Sequence, residues 1–147
     1  MKVLVAVDFS PVTAAQLDAV RLLAGGRTMT AYLMHVAEPD PSFVGYEAGP
    51  DVVRDQVAAQ FHREHRQLED LAAELRTDAI EVTPLLVQGS TVDTLIDEAS
   101  KLEVALIVAG SHGHGAAWDL VVGSFSARII RHAPVPVVVV PAGSGRR

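Results

Sequence analysis

The chain has 147 residues, no cysteine and a formal net charge of −6. A chain of this length forms one domain with a core of its own, and without cysteine it has neither disulfide bonds nor zinc sites built on thiolates. The negative charge disfavours a nucleic-acid partner, since phosphate backbones are bound mainly through lysine and arginine.

The N-terminal segment predicts no targeting signal and no membrane anchor. Its apolar run, Val3–Val7, ends at Asp8 and is shorter than the hydrophobic part of a secretory signal. No stretch of the sequence approaches the roughly 18 consecutive apolar residues of a membrane span. We therefore expect a cytoplasmic protein without a membrane partner.

Short valine-rich runs alternate along the chain with longer segments of helical period, which is typical of parallel strands joined by crossover helices. Because such strands are apolar almost throughout, helices must cover both faces of the sheet. We predict an α/β fold, a three-layer, doubly wound, five-stranded parallel sheet of Rossmann-like type, in a single domain over residues 1–141 with a disordered tail at 142–147. The predicted strands are Val3–Val7, Thr30–Val36, Thr83–Val87, Val104–Ala109 and Val135–Val140.

Four helices are predicted from apolar residues spaced three, four and seven positions apart. Val57 falls on the apolar face of the second helix and Ile130 on that of the fourth. Ser10 directly precedes Pro11, so we expect the serine to cap the first helix. The predicted helices are Ala14–Leu23, Asp51–Arg76, Val92–Ala99 and Ser124–His132.

Ligands of doubly wound sheets bind beyond the carboxyl ends of the strands, where the strand order reverses. Asp8, His35 and Gly110 each stand where a predicted strand ends, so we expect them around one crevice. The Asp8 carboxylate can accept a hydrogen bond from a base or a ribose, or hold a metal ion through water; it can equally cap the first helix. Val36 can offer main-chain groups to an adenine edge, whereas a lone histidine such as His35 is usually structural.

The glycines behind the fourth strand carry the main functional signal. Gly110 and Gly113 are separated by two residues, and after nine more residues Gly123 and Ser124 follow at the start of the last helix. A strand that ends in glycines and restarts as a helix directs main-chain amides into one concavity, which suits a phosphate. This pattern predicts a nucleotide binder; the alternative is ordinary turn glycines, with Ser124 as a helix cap.

Other chemistry is poorly supported by the sequence. There is no Gly-Lys-Ser or Gly-Lys-Thr to provide a P-loop lysine, and the first strand does not lead into a Gly-x-Gly-x-x-Gly turn. Ser111 beside His112 lacks a demonstrable triad, and His112 with His114 is a weak pattern for zinc. We therefore assign no catalytic residue and no metal ligand.

The chain resembles the universal stress proteins over essentially its whole length, and its glycine spacing resembles that of their ATP-binding branch. It departs from the family pattern at two places. His114 follows the second glycine of the motif, where relatives commonly have lysine or arginine, and Ser90 follows Gly89, where proline is usual. The segments that carry the resemblance are Val3–Ser10, Tyr32–Val36, Val87–Gly89, Ala105–Gly113 and Pro134–Val140.

The resemblance implies ATP, with or without Mg²⁺, as the cofactor, and a homodimer formed through the last strand, Val135–Val140. It also implies that Asp8 and Val36 contact the adenosine part and that Gly89 approaches the ribose. The nucleotide-binding residues expected toward the phosphates are Gly110, Gly113, His114, Gly123 and Ser124.

We therefore hypothesise an ATP-binding stress-response protein that acts as a nucleotide-dependent sensor or interaction module. One alternative is a slow ATP hydrolase, in which Asp8 or a metal-bound water assists attack. A second is a nucleotide-free dimerisation scaffold whose glycines serve packing alone, and a third is flavin binding by a flavodoxin-like sheet.

Overall fold

The computed structural model describes residues 1–37, 50–111 and 124–141, with the main chain alone for residues 50–54. The predicted α/β fold is confirmed: within these ranges, five parallel strands alternate with four helices. In the same part of the chain no helix is both long and apolar enough to cross a membrane. The strands are β1 (Lys2–Ala6), β2 (Met29–Ala37), β3 (Ile80–Gln88), β4 (Leu106–Gly110) and β5 (Val137–Val140). The helices are α1 (Val12–Ala24), α2 (Pro50–Leu75), α3 (Thr91–Lys101) and α4 (Ser124–His132).

The sheet has the order β3-β2-β1-β4-β5, so β1 lies at its centre and pairs with β2 on one side and with β4 on the other. The chain runs outward from β1 to β3 on one side and then crosses to build β4 and β5 on the other. The strand order therefore reverses between β1 and β4, and the connections that leave these two strands diverge. A crevice is expected at this point of the carboxyl edge.

Alternate residues of β1 point into two separate hydrophobic cores. Val3 and Val5 pack in the core under α1 and α2, whereas Leu4 and Ala6 pack in the core under α3 and α4. Val3, Leu4 and Val5 are completely buried. Helices thus cover both faces of the sheet, as its apolar strands require, and the three-layer arrangement is confirmed.

All five strands have boundaries that differ from the predicted ones. In β1 and β2 the difference is one residue at each end; the other three strands begin two or three residues away from the predicted start, each for a local reason. β3 is longer and contains Pro84, which an edge strand tolerates because one of its sides makes no ladder hydrogen bonds. β4 begins at Leu106 because Glu103 adopts a left-handed conformation (φ 54°) and Val104 N–H still donates to the last turn of α3 at 3.2 Å. β5 begins after Pro136, which has no N–H to donate.

The predicted Ser10 cap is wrong. Pro11 occupies the N-cap position of α1, and no side chain caps the helix there. Instead the Ser10 carbonyl accepts a hydrogen bond from Thr13 N–H at 3.0 Å, and Ser10 N–H donates to Asp8 Oδ1 at 3.0 Å. The aspartate therefore fixes the turn that precedes the helix, a role for which its short carboxylate is suited.

Two residues predicted to face inward are exposed, Val57 to 37% and Ile130 to 50%. The 26 residues of α2 span about 39 Å, whereas the nine residues of β2 span about 30 Å. The first turns of α2 therefore extend beyond the sheet, and Val57 lies outside the layer that covers the strands. In α4 the inward position is taken by Ile129, which is completely buried, and adjacent helical residues point about 100° apart.

We expect Leu17→Ala to lower the free energy of unfolding by about 2–5 kcal/mol, because Leu17 is completely buried in the core under α1 and α2. Leu22→Ala on the same helix is the matched control. Leu22 is 82% exposed, so its substitution should change the free energy of unfolding by no more than about 0.5 kcal/mol. Urea denaturation measures both values, and equal destabilisation by the two substitutions would contradict the placement of α1.

Candidate functional site

A cavity of about 500 Å³ opens at the carboxyl edge of the sheet, where the strand order reverses between β1 and β4. This volume lies within the range of small-molecule sites. The ends of β1, β2 and β4 form the base of the cavity, and residues of α2, α3 and α4 form its walls. Among the residues that line it are Asp8, His35, Val36, Glu64, Gly110 and Phe125.

Three residues predicted from the sequence meet in this cavity. Asp8, Val36 and Gly110 line it, and they come from the ends of three adjacent strands. His35 lines the same cavity from the end of β2. The crevice expected from the strand pattern is therefore present at this edge of the sheet.

The other predicted residues lie elsewhere or outside the described ranges. Gly89 follows β3 and does not belong to the described lining; a Cβ on it would collide with the Thr94 hydroxyl, so a larger residue here would displace that side chain of α3. Ser124 is the exposed first residue of α4, one position before Phe125, which lines the cavity. The predicted residues outside the described ranges are Gly113, His114 and Gly123, together with His112.

Side chains supply hydrogen bonds to main-chain carbonyls where the central strands end. The Ala6 carbonyl of β1 accepts from Gln16 Nε2 at 2.8 Å, and Gln16 is completely buried. The Gly110 carbonyl of β4 accepts from Ser126 Oγ at 2.7 Å, also in a buried contact. The second hydrogen bond ties the first turn of α4 to the end of β4, so the N-terminus of α4 lies beside the cavity. Neither side chain was predicted from the sequence.

The imidazole ring of His35 is held in one orientation. Its Nδ1 lies 2.7 Å from the Val7 carbonyl oxygen, which can only accept, so Nδ1 carries a hydrogen and donates. Phe9 packs against the ring with the two centroids 4.5 Å apart, and its backbone has a φ of 57°, which is uncommon for a bulky residue. His35 therefore makes a structural hydrogen bond, and the same side chain also lines the cavity.

Glu64 lines the cavity from α2 and was not predicted from the sequence. Its Oε1 accepts a hydrogen bond from Gln60 Nε2 at 2.9 Å. Its Oε2 is buried with no hydrogen-bond partner in the described part of the chain, 3.8 Å from His35 Nε2. The sequence contains a pattern that could have predicted this residue. Glu64 comes three residues after Phe61 and four before Leu68, so a carboxylate interrupts the apolar stripe of α2.

The described lining of the cavity contains two carboxylates, those of Asp8 and Glu64, and no lysine or arginine. This region suits an uncharged part of a ligand that donates hydrogen bonds. An anionic part is better placed near Gly110, because the main-chain amides at the start of α4 carry partial positive charge. Over residues 1–37, 55–111 and 124–141 no three histidine, aspartate or glutamate side chains are grouped closely enough to hold a metal ion.

Comparisons with known proteins agree on one family. A family model described as the universal stress protein family matches residues 1–141. The chain is also 25% identical over 144 residues to the universal stress protein YxiE of Bacillus subtilis, and this match covers 95% of the chain and 97% of YxiE.

Solved structures share the fold. The hypothetical protein MJ0577 superposes with a TM-score of 0.85 at 21% identity, over 98% of this chain and 97% of that one. A universal stress protein in complex with cAMP gives a TM-score of 0.65 at 20% identity, over 97% of this chain and 98% of that one. A universal stress protein family protein from Arabidopsis thaliana with AMP bound gives 0.63 at 19% identity, over 98% and 93% of the two chains.

We expect Ser126→Ala to lower the free energy of unfolding by about 1–3 kcal/mol, because the buried Gly110 carbonyl loses its donor. Ser100→Ala is the matched control: Ser100 Oγ also donates to a carbonyl, that of Ile96 at 3.0 Å, but in an exposed position. Its substitution should change the free energy of unfolding by no more than about 0.5 kcal/mol. Guanidinium denaturation followed by circular dichroism compares them, and a loss in Ser126→Ala no larger than in the control would show that this bond does not hold α4 in place.

Proposed function

The chain belongs to the universal stress protein family, and we propose that it binds an adenine nucleotide in the cavity at the carboxyl edge of its sheet. The observation that carries the proposal is the meeting of Asp8, Val36 and Gly110 in one cavity at the reversal of the strand order. Doubly wound sheets bind ligands at this position. The universal stress proteins of the same fold in complex with cAMP and with AMP support the ligand class.

In the proposed complex the adenosine part lies at Asp8 and Val36, and the phosphates lie at the Gly110 end of the cavity. The carboxylate of Asp8 accepts hydrogen bonds from the ribose or the base. Main-chain amides at the start of α4, which Ser126 holds beside β4, meet the phosphates. The residues proposed to complete the phosphate side are Gly113, His114, Gly123 and Ser124.

We propose ATP, with or without Mg²⁺, as the nucleotide. The chain has His114 after the second glycine of its motif, and the described lining holds no fixed cation, so the triphosphate charge is balanced by amides and by a divalent ion. The proposed role is that of a nucleotide-dependent sensor or interaction module in the cytoplasm. The lack of cysteine fits such a reducing compartment.

ATP with Mg²⁺ should stabilise the purified protein against thermal unfolding. A ligand at a hundred times its dissociation constant adds about 2.7 kcal/mol to the free energy of unfolding, which a melting experiment detects. Asp8→Ala should diminish the ATP-induced shift, because the carboxylate that accepts from the adenosine part is lost. Asp78→Ala is the matched control. It removes the same charge from an exposed turn at the amino ends of the strands, far from the cavity, and should leave the ATP-induced shift intact.

Two results would contradict this proposal together: no shift at millimolar ATP, and no nucleotide in the supernatant of freshly purified, denatured protein. A third measurement separates binding from turnover. Phosphate release that persists through repurification and disappears in Asp8→Ala would indicate a slow ATP hydrolase in place of a sensor.

We also propose that the chain forms a homodimer through its last strand, over Val135–Val140. In the described sheet β5 is an edge strand, and its valines Val137–Val139 are only half-buried, whereas Ile107 and Val108 of the neighbouring β4 are completely buried. The free edge of a four-valine strand favours pairing with another strand. The opposite edge, β3, is less suited to pairing because Pro84 has no N–H.

We expect Val139→Lys to convert the dimer to a monomer in sedimentation velocity, since a charge on an edge strand opposes strand pairing. Thr83→Lys on the half-buried surface of the other edge strand is the matched control and should leave the dimer intact. Melting temperatures of both variants establish that they are folded. The proposed interface would be contradicted if the wild-type protein were monomeric at its highest soluble concentration. It would also be contradicted if both substitutions dissociated the dimer to the same extent.

A further inference from the structure

Glu64 and His35 face each other in one wall of the cavity, with Oε2 and Nε2 3.8 Å apart. We propose that the two side chains together accept hydrogen bonds from the 6-amino group of a purine, so that the site selects 6-aminopurine over 6-oxopurine nucleotides. This inference rests on the nucleotide binding proposed above, and it adds the residues that set the selectivity for the base.

With Nδ1 already donating, Nε2 is the ring nitrogen of His35 that faces Glu64, and in this proposal it acts as an acceptor. The Nδ1–H donates to the Val7 carbonyl oxygen at 2.7 Å. In a neutral imidazole the remaining nitrogen, Nε2, then carries a lone pair. Phe9 packs against the ring with centroids 4.5 Å apart and hinders a rotation that would exchange the two nitrogens.

Glu64 presents a second acceptor to the same gap. Its Oε1 is engaged by Gln60, but its Oε2 is buried and has no hydrogen-bond partner among the residues that the structure describes. The distance of 3.8 Å to His35 Nε2 is too long for a hydrogen bond. The side chains of His35 and Glu64 are only 15% and 16% exposed, so solvent reaches the pair poorly, and a buried acceptor without a donor is unfavourable.

The direction of the Glu64 side chain follows from the packing of α2. Leu68, Ala72 and Leu75 are completely buried and define the face of α2 that lies against the sheet. Glu64 is four residues before Leu68, on the same face and one turn nearer the carboxyl edge. The helix therefore directs this carboxylate to the cavity and holds it there.

The missing donor is best supplied by the ligand. The other charged residue of the described lining, Asp8, is a further acceptor, and no lysine or arginine belongs to that lining. An amino group has two N–H bonds, and a nitrogen about 2.9 Å from each of two acceptors fits acceptors that are 3.8 Å apart. A 6-oxo group in the same position would bring a third acceptor into the gap and would be repelled.

The test compares ATP with inosine triphosphate, which replaces the 6-amino group by an oxo group. Isothermal titration calorimetry on the wild-type protein should show ATP bound more tightly by about tenfold or more, the usual effect of a hydrogen bond to a charged group. Glu64→Gln replaces one carboxylate oxygen by an amide donor, so it should weaken ATP, strengthen inosine triphosphate and reduce the ratio of their affinities by about tenfold.

Glu69→Gln is the matched control. Glu69 also lies on α2 and also faces a histidine, with Oε1 3.6 Å from His65 Nε2, but that pair is about half exposed and is not part of the described lining. In Glu69→Gln the ratio of the affinities for ATP and inosine triphosphate should equal that of the wild-type protein. If Glu64→Gln is unfolded by circular dichroism, Glu64→Ala takes its place; it should weaken ATP binding and strengthen inosine triphosphate binding, because the carboxylate that accepts from the amino group and repels the oxo group is removed.

An unchanged ratio in the Glu64 variants of a protein that binds ATP would overturn the inference and assign base selectivity to other groups, such as the main chain of Val36. A hydrogen on Nε2 of His35 in the ATP complex, detected by nitrogen-15 NMR, would overturn it as well, because the ring would then be a donor to Glu64. Failure of the wild-type protein to bind either nucleotide is a different result, since it removes the proposed function itself.

Discussion

The central position of β1 in a parallel sheet is the constraint on which the rest of the structure depends. Because β1 pairs with β2 and β4 and is covered on both faces, its residues enter two cores at once. The helix that follows β1 covers one face of the sheet, and the helix that follows β4 covers the other. The two connections therefore diverge at the carboxyl edge, and the cavity is a consequence of this topology.

The ends of the strands create a second requirement, since buried carbonyls at or just beyond the last ladder pairs still need donors. Side chains from three different elements supply these donors around the cavity. One donates to a carbonyl of β1, one to the carbonyl of the residue after β1, and one to a carbonyl of β4. The described part of the rim is thus held by the same hydrogen bonds that terminate the strands, so these contacts need no ligand to form. These donors are Gln16 of α1, His35 of β2 and Ser126 of α4.

The sequence predicts the elements well because burial imposes their periods, and it predicts Asp8, Val36 and Gly110 because parallel strands bring the residues at their ends to one edge. It predicts boundaries less well, since these depend on single backbone conformations such as the left-handed Glu103. Residues that the helices contribute to the site are not predicted from the sequence, for a different reason. Whether a residue such as Glu64 lies near the end of a strand depends on the position of its helix along the strand direction. The spacing of apolar residues in the sequence carries no information about that position.

Glu64 illustrates how a local departure from good packing can serve binding. An apolar residue at this position would continue the buried stripe of Leu68, Ala72 and Leu75, whereas the carboxylate leaves one oxygen without a donor from the described residues. The unfavourable contribution of that oxygen acts on the empty protein and is relieved when a ligand donor arrives. Under the proposed nucleotide binding, occupancy would change the stability of α2 against the sheet, and a difference between empty and occupied states is what the proposed sensor role requires.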